Sequence, residues 1–115
     1  MRTGAGALDR RLRFEKRADV ADGYGNTVGA WEAQFACWAG LKHLRGGETV
    51  IAGRLAGRRP AIATIRNGVM PREITNEWRA VDERTGEIYN IREDPREMDG
   101  NRGYLEMLVE SGVAV

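Results

Sequence analysis

The chain has 115 residues, 42% of them hydrophobic and 30% charged, with a formal net charge of +1. That describes one small folded domain with a modest core, neither disordered nor membrane-like in composition. The length excludes a two-domain enzyme, no apolar run nears the ~20 residues of a bilayer span, and the single cysteine, Cys37, excludes a disulfide scaffold and points to synthesis in the cytosol.

From the N-terminus, the first fourteen residues hold four arginines and no apolar stretch, so no secretory signal is expected there. Leu12 and Phe14 alternate with Arg11, Arg13 and Glu15, the pattern of a half-buried strand. Asp22-Gly23-Tyr24-Gly25-Asn26 is a cluster of turn formers. Residues 31–38 alternate again and predict a second strand, with Trp31, Ala33, Phe35 and Cys37 on one face and Glu32, Gln34, Ala36 and Trp38 on the other. Trp38 on a mostly polar face signals either a buried second side or an intersubunit contact.

Residues 40–60 differ. Gly40, Gly46, Gly47, Gly53 and Gly57 recur through them, and Pro60 ends the stretch. Thr49 to Leu55 has the makings of one or two helical turns, though each interior glycine costs about 1 kcal/mol. The expectation is a long, mobile, partly helical excursion over about residues 42–59, and loops of more than ~12–15 residues in small domains are usually functional or disordered. Beyond it, strands are predicted at Ala61–Arg66, Trp78–Val81, Glu87–Arg92 and Tyr104–Glu110. Turns are expected at Asn67-Gly68 and Asp82–Gly86, and a second polar excursion from Asp94 to Gly103. Five or six short strands between Gly, Pro and Asp turns predict an all-β domain, a small antiparallel barrel or sandwich.

The inventory of reactive groups is nearly empty. Serine occurs once (Ser111) and histidine once (His43), in a chain tail and a Gly-rich segment, so no nucleophile–base pair is apparent. Cys37 in an alternating run reads as a small buried hydrophobe rather than a thiolate. One Cys and one His do not make a zinc site. The Asp19, Asp22-Gly23 spacing fails as a calcium loop, and the Gly4, Gly6 pair is broken as a dinucleotide motif by Asp9. The carboxylate pairs Asp82-Glu83 and Glu93-Asp94 flank turns and read as solvated charge. No catalytic residue, metal or cofactor is expected.

Charge is uneven. Residues 1–41 carry six basic and five acidic side chains, residues 42–71 six and one, and residues 72–115 six and eleven. A basic middle and an acidic end can pair within one molecule, between copies, or with an outside polyanion. Sixteen of the eighteen basic residues are arginine; a GC-rich genome explains that, as does Arg's fitness for interfaces and phosphates.

Several features in order resemble the phage head–tail joining proteins, the head-closure or stopper subunits of long-tailed phages and gene-transfer particles. They are Leu8 and Arg11-Leu12 in the first strand, the Asp22-Gly23-Tyr24-Gly25 turn, and Trp31 leading to Cys37-Trp38-Ala39. Gly46-Gly47-Glu48 opens the excursion, Ile65-Arg66 precedes a turn, and Tyr89-Asn90-Ile91 falls in the penultimate strand. Asn67 stands where the family often has an aromatic. The resemblance spans about residues 6–110 and rests on order and spacing rather than on any one motif.

It implies a single-domain antiparallel β-barrel of about six strands, residues 1–115, and a homo-oligomeric ring at the virion neck. Portal and adaptor proteins would lie on the head side, and the tail terminator or tail tube on the other. The ring would retain packaged double-stranded DNA without reading its sequence, with no catalysis, no cofactor and no membrane. On that reading Lys42, His43, Arg45, Arg54, Arg58 and Arg59 form a loop facing the DNA channel, or else bind the acidic end of an adjacent copy. Trp31, Trp38, Glu48 and Arg66 are expected at subunit or neighbour contacts. Trp38 in particular is expected under the excursion or against a neighbour, not in open water. The alternatives are a tail terminator or other neck ring component, and an OB or SH3-like nucleic-acid-binding module. The latter is disfavoured because residues 42–71 hold no aromatic for base stacking.

Overall fold

The structure, a computed structural model, describes residues 8–21, 23–25, 27–44 and 57–112. They form seven strands: β1 (Arg10–Ala21), β2 (Thr27–His43), β3 (Arg59–Arg66), β4 (Arg79–Asp82), β5 (Ile88–Ile91), β6 (Arg96–Met98) and β7 (Asn101–Ser111). All pair antiparallel. Among the described residues there is no α-helix, only a 3-10 turn at Pro71–Glu73.

The strands make one sheet in the order β3-β2-β1-β4-β5-β7-β6, and β3 also pairs with β7. That last pairing, Arg59–Arg66 against Tyr104–Ser111, joins the two ends of the sheet, so hydrogen bonding runs through six strands and returns to its start. β5 covers only Val109–Ser111 of β7's other edge, and β6 continues along Asn101–Glu106.

Alternation decides what lies inside. Leu12, Phe14, Ala61, Ala63, Ile65, Ala80, Tyr89, Ile91, Leu105, Met107 and Val109 are buried on the inner face. Every second residue of a strand points there, and water is excluded when the sheet closes on itself. Phe14 stacks on Phe35 with ring centroids 5.2 Å apart, and Phe35 meets Trp78 edge-on at 6.5 Å. Offset and edge-on ring pairs of this kind stabilise beyond the area they bury.

Four expectations need correction. β2 is bulged: Phe14 pairs with Phe35 but Glu15 pairs with Ala33, so Gln34 is an extra residue. One inserted residue reverses the facing of everything before it. Phe35 and Cys37 therefore pack against the core, while Trp31 lies on the outer face opposite Arg17. Trp31 is not part of one apolar face with Phe35 and Cys37.

The expected excursion at 42–59 is shorter than its composition suggests. Lys42 and His43 are strand residues paired with Ile62 and Ala61, and Arg59 opens β3. The predicted helical turns at Thr49–Leu55, and Arg45, Glu48 and Arg54, lie outside the described residues. The polar stretch from Asp94 to Gly103 contains a seventh strand, β6, and the hairpin that joins it to β7. Finally, Asp82 is not solvated turn charge: it is 1% exposed and its carboxylate organises the β4–β5 turn.

Candidate assembly surface

The outer face of β1, β2 and β4 carries a connected set of arginines, carboxylates and two tryptophans. Glu15 and Arg79 face each other across β1 and β4. The Glu15 carboxylate accepts a 2.7 Å hydrogen bond from Arg79 Nε and a 2.9 Å bond from Arg13 Nε. Burial would raise this carboxyl's pKa, but the hydrogen bonds and charges of Arg79 and Arg13 outweigh it and hold Glu15 below the ordinary glutamate range. The Arg79 guanidinium lies 4.4 Å from the centroid of the Trp31 ring, and that of Arg17 lies 5.7 Å away. Trp31 is thus half-buried under two cations, a cation–π arrangement that fixes the ring.

The second tryptophan lines an open cleft of about 660 Å³ together with Asp9, Arg10, Arg11, Asp82, Glu83, Arg84 and Thr85. Trp38 is 54% exposed there, with the Arg11 guanidinium 5.5 Å from its ring. The opposite wall is the β4–β5 turn. Asp82 Oδ1 accepts the backbone N–H groups of Arg84 and Thr85 at 2.8 and 3.2 Å, and Arg10 Nη1 lies 3.5 Å from Oδ2. Glu83 is 3.7 Å from Arg11 and 3.8 Å from Arg13, and its N–H donates to the Arg11 carbonyl at 3.0 Å. Asp82 and Glu83 of this turn are matched by the arginines of β1 rather than by the basic middle of the chain. Among the ion pairs of the described residues, Arg59–Glu87 at 3.8 Å is the one that joins residues 42–71 to the acidic end.

The described residues of the expected DNA-facing loop stand together at one end of the β2–β3 pair. Lys42 and His43 close β2, Arg58 and Arg59 lead into β3, and all four are exposed. The Leu44 N–H donates to the Pro60 carbonyl at 3.1 Å, so the two chain ends that lead into residues 45–56 are tied together. Arg66, expected at a contact, is exposed at the opposite end of β3, its guanidinium 5.7 Å from the Tyr104 ring. Trp31 and Trp38 therefore share one outer face, whereas the described loop residues and Arg66 occupy opposite ends of β3.

Chemistry is scarce on these surfaces. Cys37 is half-buried against the core, and its thiol is pushed up to about 11 by burial, partly offset by Arg11. The Tyr89 hydroxyl, pushed up to about 12 by burial and by Glu87, donates to the Glu87 carboxylate at 3.3 Å. Ser111 Oγ is buried without a hydrogen-bond partner among the described residues. Among those residues no group of three or more His, Cys, Asp or Glu is placed to hold a metal, and no helix is long and apolar enough to cross a membrane.

The described residues thus form an all-β framework, closed by the β3–β7 pairing, with a charged, tryptophan-bearing outer surface. Residues 4–112 match the family model described as phage head completion protein. The chain belongs to the phage head completion protein family, and is by that membership a structural protein of the virion with a part in the head. Two solved structures are similar. The solution structure of protein SF1141 from Shigella flexneri 2a aligns with a TM-score of 0.68 at 20% identity, covering 98% of this chain and 100% of that one. A chain of the virion of a native gene transfer agent particle aligns with a TM-score of 0.63 at 26% identity, covering 93% of this chain and 97% of the other. No curated protein sequence matches.

Proposed function

We propose that the chain is a head-closure subunit: a small β-barrel whose copies form a ring at the neck of a phage or phage-like particle. On this reading the ring lies below portal and adaptor, retains packaged DNA and offers the tail its docking surface. The observation that carries the reading is the head completion match over residues 4–112, together with a sheet that the β3–β7 pairing closes. The likeness to a chain of a gene transfer agent virion supports it, as does the outer surface with a half-exposed tryptophan in a cleft.

Lys42, Arg58 and Arg59, with His43 beside them, flank residues 45–56, so a ring would bring many copies of the three cations around one axis. Double-stranded DNA carries a negative charge every ~1.7 Å of its length, and attraction to such a ring is independent of sequence and weakened by salt. Electron microscopy of particles carrying the labelled protein tests the placement. Ring density at the neck is expected; density elsewhere, or particles lacking the protein, overturns it. Changing Arg54, Arg58 and Arg59 together to Gln tests the loop. Particles that assemble but leak DNA are expected, and failure of the ring to form assigns these arginines to a neighbouring subunit instead.

A further inference from the structure

The β1–β2 hairpin is longer than the sheet that supports it. β4 pairs with β1 only at Leu12–Glu15, and β3 pairs with β2 only at Ala39–His43. Residues 16–21 and 27–32 pair only with each other among the described residues, forming a two-stranded ribbon about 20 Å long at ~3.4 Å per residue. Each strand of that ribbon has one edge of backbone N–H and C=O groups that no other strand of the described residues covers. Two-stranded ribbons are marginal alone, and free edges are sites of pairing with another chain unless they are guarded by short length, charge or proline.

The edges of this protein are guarded unequally. β6 is three residues long, follows Pro95 and carries Arg96 and Glu97. By contrast, residues 27–33 carry one charge, Glu32, and no proline.

We propose that neighbouring copies join by strand addition, the free edge of β2 at 27–32 in one copy pairing antiparallel with the free edge of β1 at 16–21 in the next. These two segments already pair in register within the hairpin, with Lys16 opposite Glu32, Arg17 opposite Trp31 and Ala18 opposite Ala30. An antiparallel strand accepts on its second edge the same set of facing residues that it holds on its first, with bonded and non-bonded pairs exchanged. In that register Lys16 meets Glu32 of the neighbour and Arg17 lies opposite its Trp31, so these two cations gain partners instead of guarding the edge. Because the two edges belong to different strands, the contact is head-to-tail and propagates around a ring. This names the contact for the ring proposed above; a ring joined by other surfaces leaves that ring standing and overturns the strand addition.

The test uses assembled particles. Lys16→Cys and Glu32→Cys copies are expressed together and oxidised; facing strand positions suit a disulfide. A reducible dimer is expected in the mixture and not with either variant alone, which also controls for the native Cys37. In parallel, amide exchange of the wild-type chain is compared between free subunit and particle, and alternate amides in 16–21 and 27–32 are expected to slow at least tenfold. Incorporation of both variants without a dimer overturns the proposal, even if exchange slows, because another strand then covers the edge. If the variants do not incorporate, exchange decides, and unchanged exchange in both segments overturns it.

Discussion

Glu15 on β1 and Arg79 on β4 lie opposite each other in the sheet and share a 2.7 Å hydrogen bond, and the same guanidinium caps the Trp31 ring at 4.4 Å. The pair joins residues 64 positions apart on two strands and holds a guanidinium over an outer-face tryptophan. Its effect on stability has a definite sign. The Glu15 carboxyl is held below its ordinary value, so its contribution is present above the unfolded pKa near 4.5 and is lost as pH falls through the lower folded value. Wild-type stability to urea should therefore fall on acidification below about pH 4.5. Glu15→Gln should lower stability at pH 7 by roughly 1–3 kcal/mol, the range for removing a charged hydrogen-bond partner, and flatten the acid slope. Identical pH profiles for the two proteins would show that the pair contributes nothing.

Trp38 should separate folding from assembly. A fully buried Trp truncated to Ala costs about 3–5 kcal/mol, but Trp38 is 54% exposed in the subunit. Trp38→Ala is expected to cost under ~1.5 kcal/mol in urea unfolding while sharply reducing incorporation into particles. Full incorporation at wild-type levels would remove Trp38 from any interface.

The Cys37 thiol, pushed up to about 11 and packed against the core, is expected to stay protonated at pH 8. Reaction with a chromogenic disulfide reagent should be at least tenfold slower for the folded chain than for the urea-unfolded one. Equal rates would mean that the β2 strand opens freely around it.

Gly112 is held more tightly than the other left-handed glycines. At φ +81° a side chain there is strained, and a Cβ would collide with the carbonyl of Gly57. Gly100, at φ +76°, faces open space. Gly100→Ala is expected to cost about 1 kcal/mol from conformation alone, and Gly112→Ala distinctly more, read as the difference in urea midpoints. Equal losses would mean that the 57–58 backbone moves aside without cost.

How much of this was legible in the sequence depends on where the determining interaction lies. Strands β3, β4, β5 and β7 were visible because period-two alternation and Gly, Pro or Asp turns are local properties that the chain carries with it. β6 was not, because its three residues are too few to alternate and Arg96 and Glu97 are both exposed. The full length of the β1–β2 ribbon was also hidden: beyond Glu15 no further strand of the described residues supports it and Lys16, Arg17, Asp19 and Glu32 are exposed, so its residues need not alternate.

The outer-face site divides the same way. Alternation put Trp38 with Ala36 on the polar side of β2 but left open whether that side is buried; the structure leaves the ring 54% exposed in a cleft. That Trp31 also faces outward required the bulge at Gln34, which exists only because β1 pairs across it. Asp82 read as solvated turn charge until Arg10 and the two backbone N–H groups of the β4–β5 turn were placed around it. Composition and alternation by themselves determined that the chain folds as strands, and where most of those strands lie. The tertiary structure alone decided which carboxylate meets which arginine and that β3 and β7 close the sheet, because those contacts join residues tens of positions apart and leave no mark in any local pattern.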